Sequence, residues 1–232
     1  MGGIVGSRIL KIIIFTGSFF YLFQASAGIV VGGTRVIFPG NLPDTTLSVY
    51  NKQVDLPYLI QAWVDPFDKD DFHKPPFTVI PPVSRLEPEQ EKILRIIKTA
   101  GELPEERESV FWLNIKNIPP SGSNIDNSKL EIAIKTRIKL FWRPGSIKIT
   151  PEKAVANVKW SKHDSQLIVE NNNPIHINIM DVSVDGKNIP VNMIRPFERL
   201  TLPLPAGTAA HSLLWRFIND YGAVSKPVKQ AL

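Results

Sequence analysis

Residue types that commonly carry catalysis are sparse in this sequence and lack the spacings that catalysis needs. Neither a Gly-x-Ser-x-Gly turn for a nucleophilic serine nor a glycine-rich phosphate loop is present. The absence of cysteine excludes disulfides, zinc–thiolate sites, iron–sulfur clusters and cysteine nucleophiles together. None of the histidines has the spacing of a zinc-binding helix: His73, His163, His176 and His211. We therefore expect neither an enzyme nor a need for a cofactor or metal.

An acidic cluster is the one other group of residues that could bind a metal ion or take part in catalysis. Four aspartates lie close together: Asp65, Asp68, Asp70 and Asp71. Lys69 and Lys74 stand among them, so the expected structure is a solvated turn, with a calcium site as the minor alternative because the full ligand pattern is missing. A pair of catalytic carboxylates, as in glycoside hydrolysis, has no fixed sequence spacing and stays open.

The strongest pattern in the chain is an alternation of apolar and charged residues over positions 129–142. The even positions are apolar except for Thr136, and the odd positions are mostly charged or small. A period of two predicts a strand with one apolar face, and this one is much longer than the usual ~5–6 residues. That face could pack wholly into the core of its own domain. Alternatively, a long strand with an open edge is a template for pairing with another chain.

The elements that would hold this strand are other short strands. The chain contains 20 prolines, which makes a long-helix protein improbable. Apolar or alternating segments recur between Pro, Gly, Asn and Asp, which is typical of an all-β sandwich. The further predicted strands are 29–38, 45–50, 58–64, 77–80, 110–115, 155–160, 166–171, 175–184, 199–204 and 212–218.

The sequence leaves two local features of the backbone open. Residues 89–98 contain helix formers and apolar residues at helical spacing, yet they lie within a series of strands, so helix and strand are equally supported. The Ile80-Pro81 bond is a candidate cis peptide, with cis and trans equally open.

The first 27 residues have the features of a secretory signal. Arg8 and Lys11 form a basic region, an apolar stretch covers residues 12–23, and small residues at 25–27 form a cleavage site. The apolar stretch is shorter than the ~20 residues that span a bilayer, so cleavage after Ala27 is expected. The remaining chain carries 25 basic against 22 acidic residues and no dense basic run, so neither nucleic-acid binding nor membrane insertion is indicated. We predict an exported, soluble protein.

Six sequence runs spread over nearly all of residues 28–229 carry a more specific signal. In order they are GGTRVIFPG, NKQVDLPYLIQAW, PPVSRLEP, ERESVFWLNIKNIPP, IAIKTRIKLFWRP and FINDYGA. Together they resemble the periplasmic pilus-assembly chaperones of Gram-negative bacteria. This resemblance implies an all-β fold of two immunoglobulin-like β-sandwich domains, arranged as an L with a cleft between them. A turn at residues 143–146 divides the chain into domains 28–147 and 148–232.

The resemblance also implies a function. Such chaperones bind pilus subunits whose sandwich lacks its last strand, lend their own long strand to fill the gap, and deliver the subunits to an outer-membrane usher. The residues that match the inserting side chains are Leu130, Ile132 and Ile134. On the same physics, the free protein could pair with itself as a homodimer that caps the exposed edge. The alternative to a chaperone is an exported two-domain adhesin or fibre structural protein, with a sandwich enzyme ranking third.

Two further sets of residues match the family. Arg35 and Lys139 correspond to the two cations that hold the carboxylate at the C-terminal end of a bound pilus subunit, a role suited to charge-assisted hydrogen bonds. Lys139 is odd and the inserting residues are even, so a bulge, a twist or a reaching side chain is needed to bring them together. A predicted interdomain ion network consists of Glu108, Arg143 and Asp220. The short loop at residues 119–127 resembles the short-loop branch of the family.

Overall fold

A computed structural model describes residues 28–71, 73–99, 101–120 and 131–232. The predicted signal segment, Leu130 and most of the predicted loop at 119–127 lie outside these residues. The described chain is built from strands, with one short helix, α1, at Pro151–Ala154 and a 3-10 turn at Val155–Asn157. The fold class predicted from sequence is therefore confirmed as all-β. Within this part of the chain no helix has the length and apolar character that a membrane crossing requires.

The first unit is a sandwich of two sheets. Its strands are β1 Ile29–Val31, β2 Arg35–Pro39, β3 Asp44–Asn51, β4 Tyr58–Pro66, β5 Phe77–Ile80, β6 Val83–Leu86, β7 Glu91–Lys98, β8 Ser109–Ile118 and β9 Ile134–Arg143. One sheet has the order β1-β3-β7-β5 and the other the order β2-β9-β8-β4-β6. The side chains between them form one apolar core, which includes Phe38, Ile60, Leu94, Leu113 and Leu140.

The second unit is a separate sandwich with its own core. Its strands are β10 Val158–His163, β11 Gln166–Asn171, β12 Ile177–Val184, β13 Lys187–Asn188, β14 Met193–Ile194, β15 Arg199–Pro203, β16 Ser212–Ile218 and β17 Val228–Ala231. One sheet has the order β10-β11-β15, and the other has the order β13-β12-β16-β17, with β14 also pairing with β12. Trp160, Leu167, Val182 and Trp215 are among its buried residues.

The predicted first strand, 29–38, is divided in two, and this division positions a site residue. β1 pairs with β3 in one sheet, whereas β2 pairs with β9 in the other. Between them the N–H of Gly32 donates to the carbonyl of Ser48 at 2.8 Å, and a Cβ on Gly32 would lie 2.3 Å from the Ser48 hydroxyl oxygen. The chain therefore crosses between sheets through a close backbone approach, which a side chain at position 32 would disturb. As a result Arg35 begins β2 beside β9.

The ambiguous segment at 89–98 is a strand. β7 pairs with β3 on one side and with β5 on the other, so both of its edges are satisfied. Leu94 and Ile96 are fully buried, while Ile93 is 62% exposed. Tertiary pairing has overridden the helical spacing because β7 sits inside the sheet. The Ile80-Pro81 peptide is cis.

Three predicted strands begin later than expected, and one of them is the strand predicted at 175–184, which begins at Ile177. The strand predicted at 155–160 begins at Val158, since residues 155–157 form the 3-10 turn. The strand predicted at 129–142 begins at Ile134 within the described residues. Its last partner on β8 is Asn117, and β8 ends one residue later, so the backbone before Ile134 loses its ladder. Alternation of side chains alone could not reveal where that partner ends.

Candidate functional site

Strand β9 has one edge that is only partly covered. β8 pairs with it antiparallel from Ile134 to Trp142. On its other side β2 pairs with it in parallel, starting with Arg35 opposite Lys139. Over residues 134–138 the described structure therefore supplies no strand on this side. At ~3.3 Å per residue the open edge is about 16 Å long, which is enough for another chain to form several backbone hydrogen bonds.

Isoleucines at the start of this strand are exposed. Ile132 is 62% exposed and Ile134 is 56% exposed, which is unusual for two neighbouring large apolar residues on one face. They border a pocket of the first sandwich, together with Tyr58 and Ile115. Farther along the same face Ile138, Leu140 and Trp142 are buried in the core. The interpretation as an edge open to another chain therefore applies to the first half of this strand. The interpretation as a core strand applies to its second half.

Arg35 and Lys139 form a cationic pair at the closed end of the open edge, which is the point where β2 begins to pair with β9. They are register partners on β2 and β9, and their faces point away from the core because Val36 and Leu140 point into it. The ammonium of Lys139 donates to the side-chain oxygen of Asn178 in the second unit at 2.8 Å. The Nε of Arg35 is buried and has no hydrogen-bond acceptor among the described residues.

The electrostatics of this pair are those of an anion site. Burial, and after it the charge of Arg35, lowers the pKa of Lys139 to about 8. Burial also lowers the pKa of Arg35, with Asp220 partly opposing that effect. Within the described ranges no carboxylate lies at ion-pair distance from either cation. Two partly desolvated cations side by side are unfavourable until an anion joins them, and a carboxylate fits both.

The parity difference between Lys139 and the isoleucines is real. The pairing of β8 with β9 runs from Asn117–Ile134 to Ser109–Trp142 without a register shift, so β9 has no bulge. Ile134 and Lys139 therefore lie on opposite faces of the sheet. The open edge lies between these faces, and a chain placed along it reaches the apolar side with some side chains and the cationic side with others.

The predicted ion network is assembled around Arg143. Its guanidinium donates two hydrogen bonds to Asp220, at 2.7 and 2.9 Å, and one to Glu108 at 2.8 Å. Burial lowers the pKa of Arg143, but the hydrogen bonds and charges of Asp220 and Glu108 outweigh burial and raise it above its usual value. Glu108 and Arg143 belong to the first unit and Asp220 to the second, so these bonds join the two units.

Sequence reasoning missed a fourth member of this network. His176 is buried in the second unit, and its backbone N–H donates to Glu108 at 2.9 Å. Its ring Nδ1 lies 2.8 Å from the same carboxylate oxygen. The available signal was a histidine next to the apolar residues of a predicted strand, where a buried polar group requires a partner.

Two of the four clustered aspartates make structural contacts. Asp68 pairs with both terminal nitrogens of Arg195 in the second unit, and the guanidinium also lies over the ring of Phe67. Asp65 accepts a hydrogen bond from Asn114 and lies 3.6 Å from Arg137. Among the residues described here, no group of three or more potential ligands could hold a metal ion.

Comparisons with known proteins agree with this architecture. Residues 28–148 match the family model for the N-terminal domain of the pili and flagellar-assembly chaperone PapD, and residues 153–229 match the model for the PapD C-terminal domain. The chain is 35% identical over 214 residues to the chaperone protein FocC of Escherichia coli, covering 91% of this chain and 93% of FocC.

Solved structures extend the comparison. A chain in the structure of the Salmonella enterica SafA pilin in complex with the SafB chaperone is 37% identical, with a TM-score of 0.78, and the match covers 88% of this chain and 96% of that one. The periplasmic chaperone SfaE is 33% identical with a TM-score of 0.72, covering 87% and 98% of the respective chains. FocC, SafB and SfaE are chaperones, and the matching family models describe a chaperone rather than an enzyme. The chain thus belongs to the PapD family of pilus-assembly chaperones.

Proposed function

We propose that this chaperone captures pilus subunits in the periplasm by strand addition and delivers them to an outer-membrane usher. The captured chain lies along the open edge of β9, and its C-terminal carboxylate binds Arg35 and Lys139. The observation that carries the proposal is the cationic pair itself, which lies at the end of the unpaired edge without a carboxylate partner in the described chain.

The geometry sets the direction of the captured chain. If its carboxylate end lies at Lys139, the preceding residues extend along the edge towards Ile134. The captured strand then runs in the same direction as β9, which itself proceeds from Ile134 to Arg143. It would continue the parallel pairing that β2 begins at Arg35. Anchoring the chain end in this way fixes the register of every residue before it.

The apolar face supplies the second part of capture. Ile132 and Ile134, and Leu130 on the sequence pattern, would fill the gap left by the missing strand of an incomplete pilus sandwich. Burying a side chain of this size stabilises by ~1.5–3 kcal/mol, from which the entropy of association is subtracted. Until a pilus protein arrives, a second copy of the chaperone could cover the same edge, which makes a self-capping homodimer part of the proposal.

The interdomain network would keep the two units in the orientation that capture needs. We place the division between the units at residues 147 and 148, within one residue of the end of the first family model at 148 and before the start of the second at 153. Arg143 lies next to that division and bonds across it to Asp220. A buried ion pair is better suited to fixing geometry than to adding stability, because desolvation offsets most of its Coulombic gain.

Co-expression with a candidate pilus subunit in the periplasm tests the proposal. Wild-type chaperone should yield a one-to-one complex, and Arg35→Ala and Lys139→Ala should each lose it. Matched controls are Arg199→Ala and Lys159→Ala, which remove exposed strand residues of the second unit and should leave the complex intact. Full complex formation by both anchor variants would overturn the assignment of the carboxylate site.

A further inference from the structure

Three cations follow one another beside the open edge of β9, and the anchor accounts for only one of them. Lys135, Arg137 and Lys139 occupy alternate positions of the strand, so they share the outward face. Lys139 belongs to the anchor at the closed end of the edge. Lys135 and Arg137 lie beside the part that has no neighbouring strand on that side among the described residues.

Both remaining cations are held in place by their neighbours. The Nε of Arg137 donates to Asn114 at 3.1 Å, and its guanidinium lies 5.2 Å from the ring centre of Trp112. The ammonium of Lys135 lies 6.0 Å from the ring centre of Trp63. Contacts of this kind reduce the conformational freedom that a long side chain would otherwise lose on binding. The two charges are therefore positioned before a ligand arrives.

This face carries more positive charge than it balances. Lys116 on β8 is the direct cross-strand partner of Lys135, and like charges in that position destabilise a sheet. Among the outward-facing residues of β4, β8 and β9 the only carboxylate is Asp65, which accepts a hydrogen bond from Asn114 and lies 3.6 Å from Arg137. This single carboxylate therefore stands against the charges of Lys116, Lys135 and Arg137. A ligand with negative charge along this edge would relieve the repulsion.

We propose that Lys135 and Arg137 select captured strands that carry acidic side chains at alternate, outward-facing positions. This inference rests on the proposed strand addition, since the added strand places every second side chain on the cationic face. Same-face side chains on neighbouring strands lie close enough to pair. The preferred ligand is thus a C-terminal segment in which Glu or Asp alternates with apolar residues, with its acidic side chains beside Arg137 and Lys135 and its apolar ones towards the opposite face.

Synthetic ten-residue peptides with a free carboxylate end test the selection on the purified full-length chaperone. One peptide alternates Val with Glu over its last six residues, a second has Gln and a third has Lys in place of Glu, and a fourth shifts the Glu positions by one residue. Titration calorimetry at low and high salt measures each affinity. We expect the Glu peptide to bind about tenfold more tightly than the Lys peptide at low salt, and the difference to shrink at high salt.

A charge reversal completes the test. Lys135→Glu changes an exposed side chain and should invert the preference towards the Lys peptide, and Arg137→Gln should reduce the advantage of the Glu peptide without inverting it. Thermal melting verifies that both variants fold. Equal affinities of wild type for the Glu and Lys peptides, with binding lost in Arg35→Ala, would overturn the selection but leave capture standing. If no peptide with a free carboxylate binds at all, strand capture itself is wrong, and the selection with it.

Discussion

Arg35 and Lys139 are direct partners across the parallel strands β2 and β9, and each is a cation whose pKa burial lowers. Parallel strands place these side chains on the same face, where they repel each other. The sheet tolerates the pair at the point where β2 begins and the free edge of β9 ends. This position would give the site two functions at once, because the residues proposed to bind a carboxylate also lie at the end of the open edge along which its chain would run.

The pH dependence of carboxylate binding should follow Lys139. Its pKa of about 8 in the free protein should rise when a carboxylate joins it, so binding takes up a proton above pH 8. Affinity for a peptide with the C-terminal sequence of a pilus protein should therefore be level from about pH 6 to 7 and fall as the pH rises through 8 to 9, by up to about tenfold per pH unit. Calorimetry in two buffers of different ionisation enthalpy measures the proton uptake directly.

The control for this pH effect is Lys139→Arg. An arginine stays protonated throughout this range, so the affinity of the variant should not change between pH 7 and 9. A peptide with an amidated C-terminus should bind weakly at every pH. A fall in affinity that persists unchanged in Lys139→Arg would assign the titration to another group.

The stability of the free protein should move in the opposite direction with pH. The pKa of Lys139 is about 8 when folded and near 10.5 when unfolded, so between these values the unfolded chain binds more protons. The free energy of unfolding should therefore rise with pH over this interval relative to Lys139→Gln, which lacks the group. Urea unfolding at pH 7, 8 and 9.5 compares the two proteins, and a constant difference between them would contradict the depressed pKa.

Ile134 and Ile138 lie on the same face of β9 but should respond differently to charge. Ile134 is 56% exposed whereas Ile138 is 7% exposed within the core. Ile134→Asp should change the melting temperature little and abolish the capture of pilus proteins, because it places a charge on the inserting face. Ile138→Asp should destabilise the fold by roughly 3 kcal/mol or more, since a buried unpaired charge is left. Loss of folding in Ile134→Asp would show that this residue belongs to the core.

Arg143 should matter more for stability than its partner Asp220. Arg143→Ala leaves the buried carboxylate of Glu108 without its guanidinium, and breaking such a pair costs about 3–5 kcal/mol. Asp220→Asn keeps one hydrogen-bond acceptor at a more exposed position and should cost about 1 kcal/mol. Denaturant unfolding followed by tryptophan fluorescence measures both. Equal losses would mean that Glu108 is stabilised by His176 rather than by Arg143.

Gly222 should be required for the approach of the second unit to the anchor. A Cβ at this position would lie 2.4 Å from the hydroxyl oxygen of Thr34, the residue before Arg35, and its φ is +85°. Gly222→Ala should therefore displace this turn and weaken the binding of pilus proteins. Gly186→Ala is the matched control, because its φ is +78° and nothing lies within 4 Å of the added Cβ. The control should lose about 1 kcal/mol of stability and keep full binding.

The sequence by itself predicted a strand with two different faces over residues 129–142, and the part from Ile134 onwards is such a strand, because side-chain alternation is a local property of the backbone. It also contains the cations and the isoleucines of the candidate site, and the family resemblance implies their roles. Only the tertiary structure decided that 91–98 is a strand, that the first strand changes sheets at Gly32, and that His176 joins the Glu108 network. Those features depend on pairing between segments far apart in sequence, which local periodicity does not encode. The pairing of β2 with β9 is one of these features. Its first pair, Arg35 with Lys139, sets where the open edge stops and therefore where the candidate site lies.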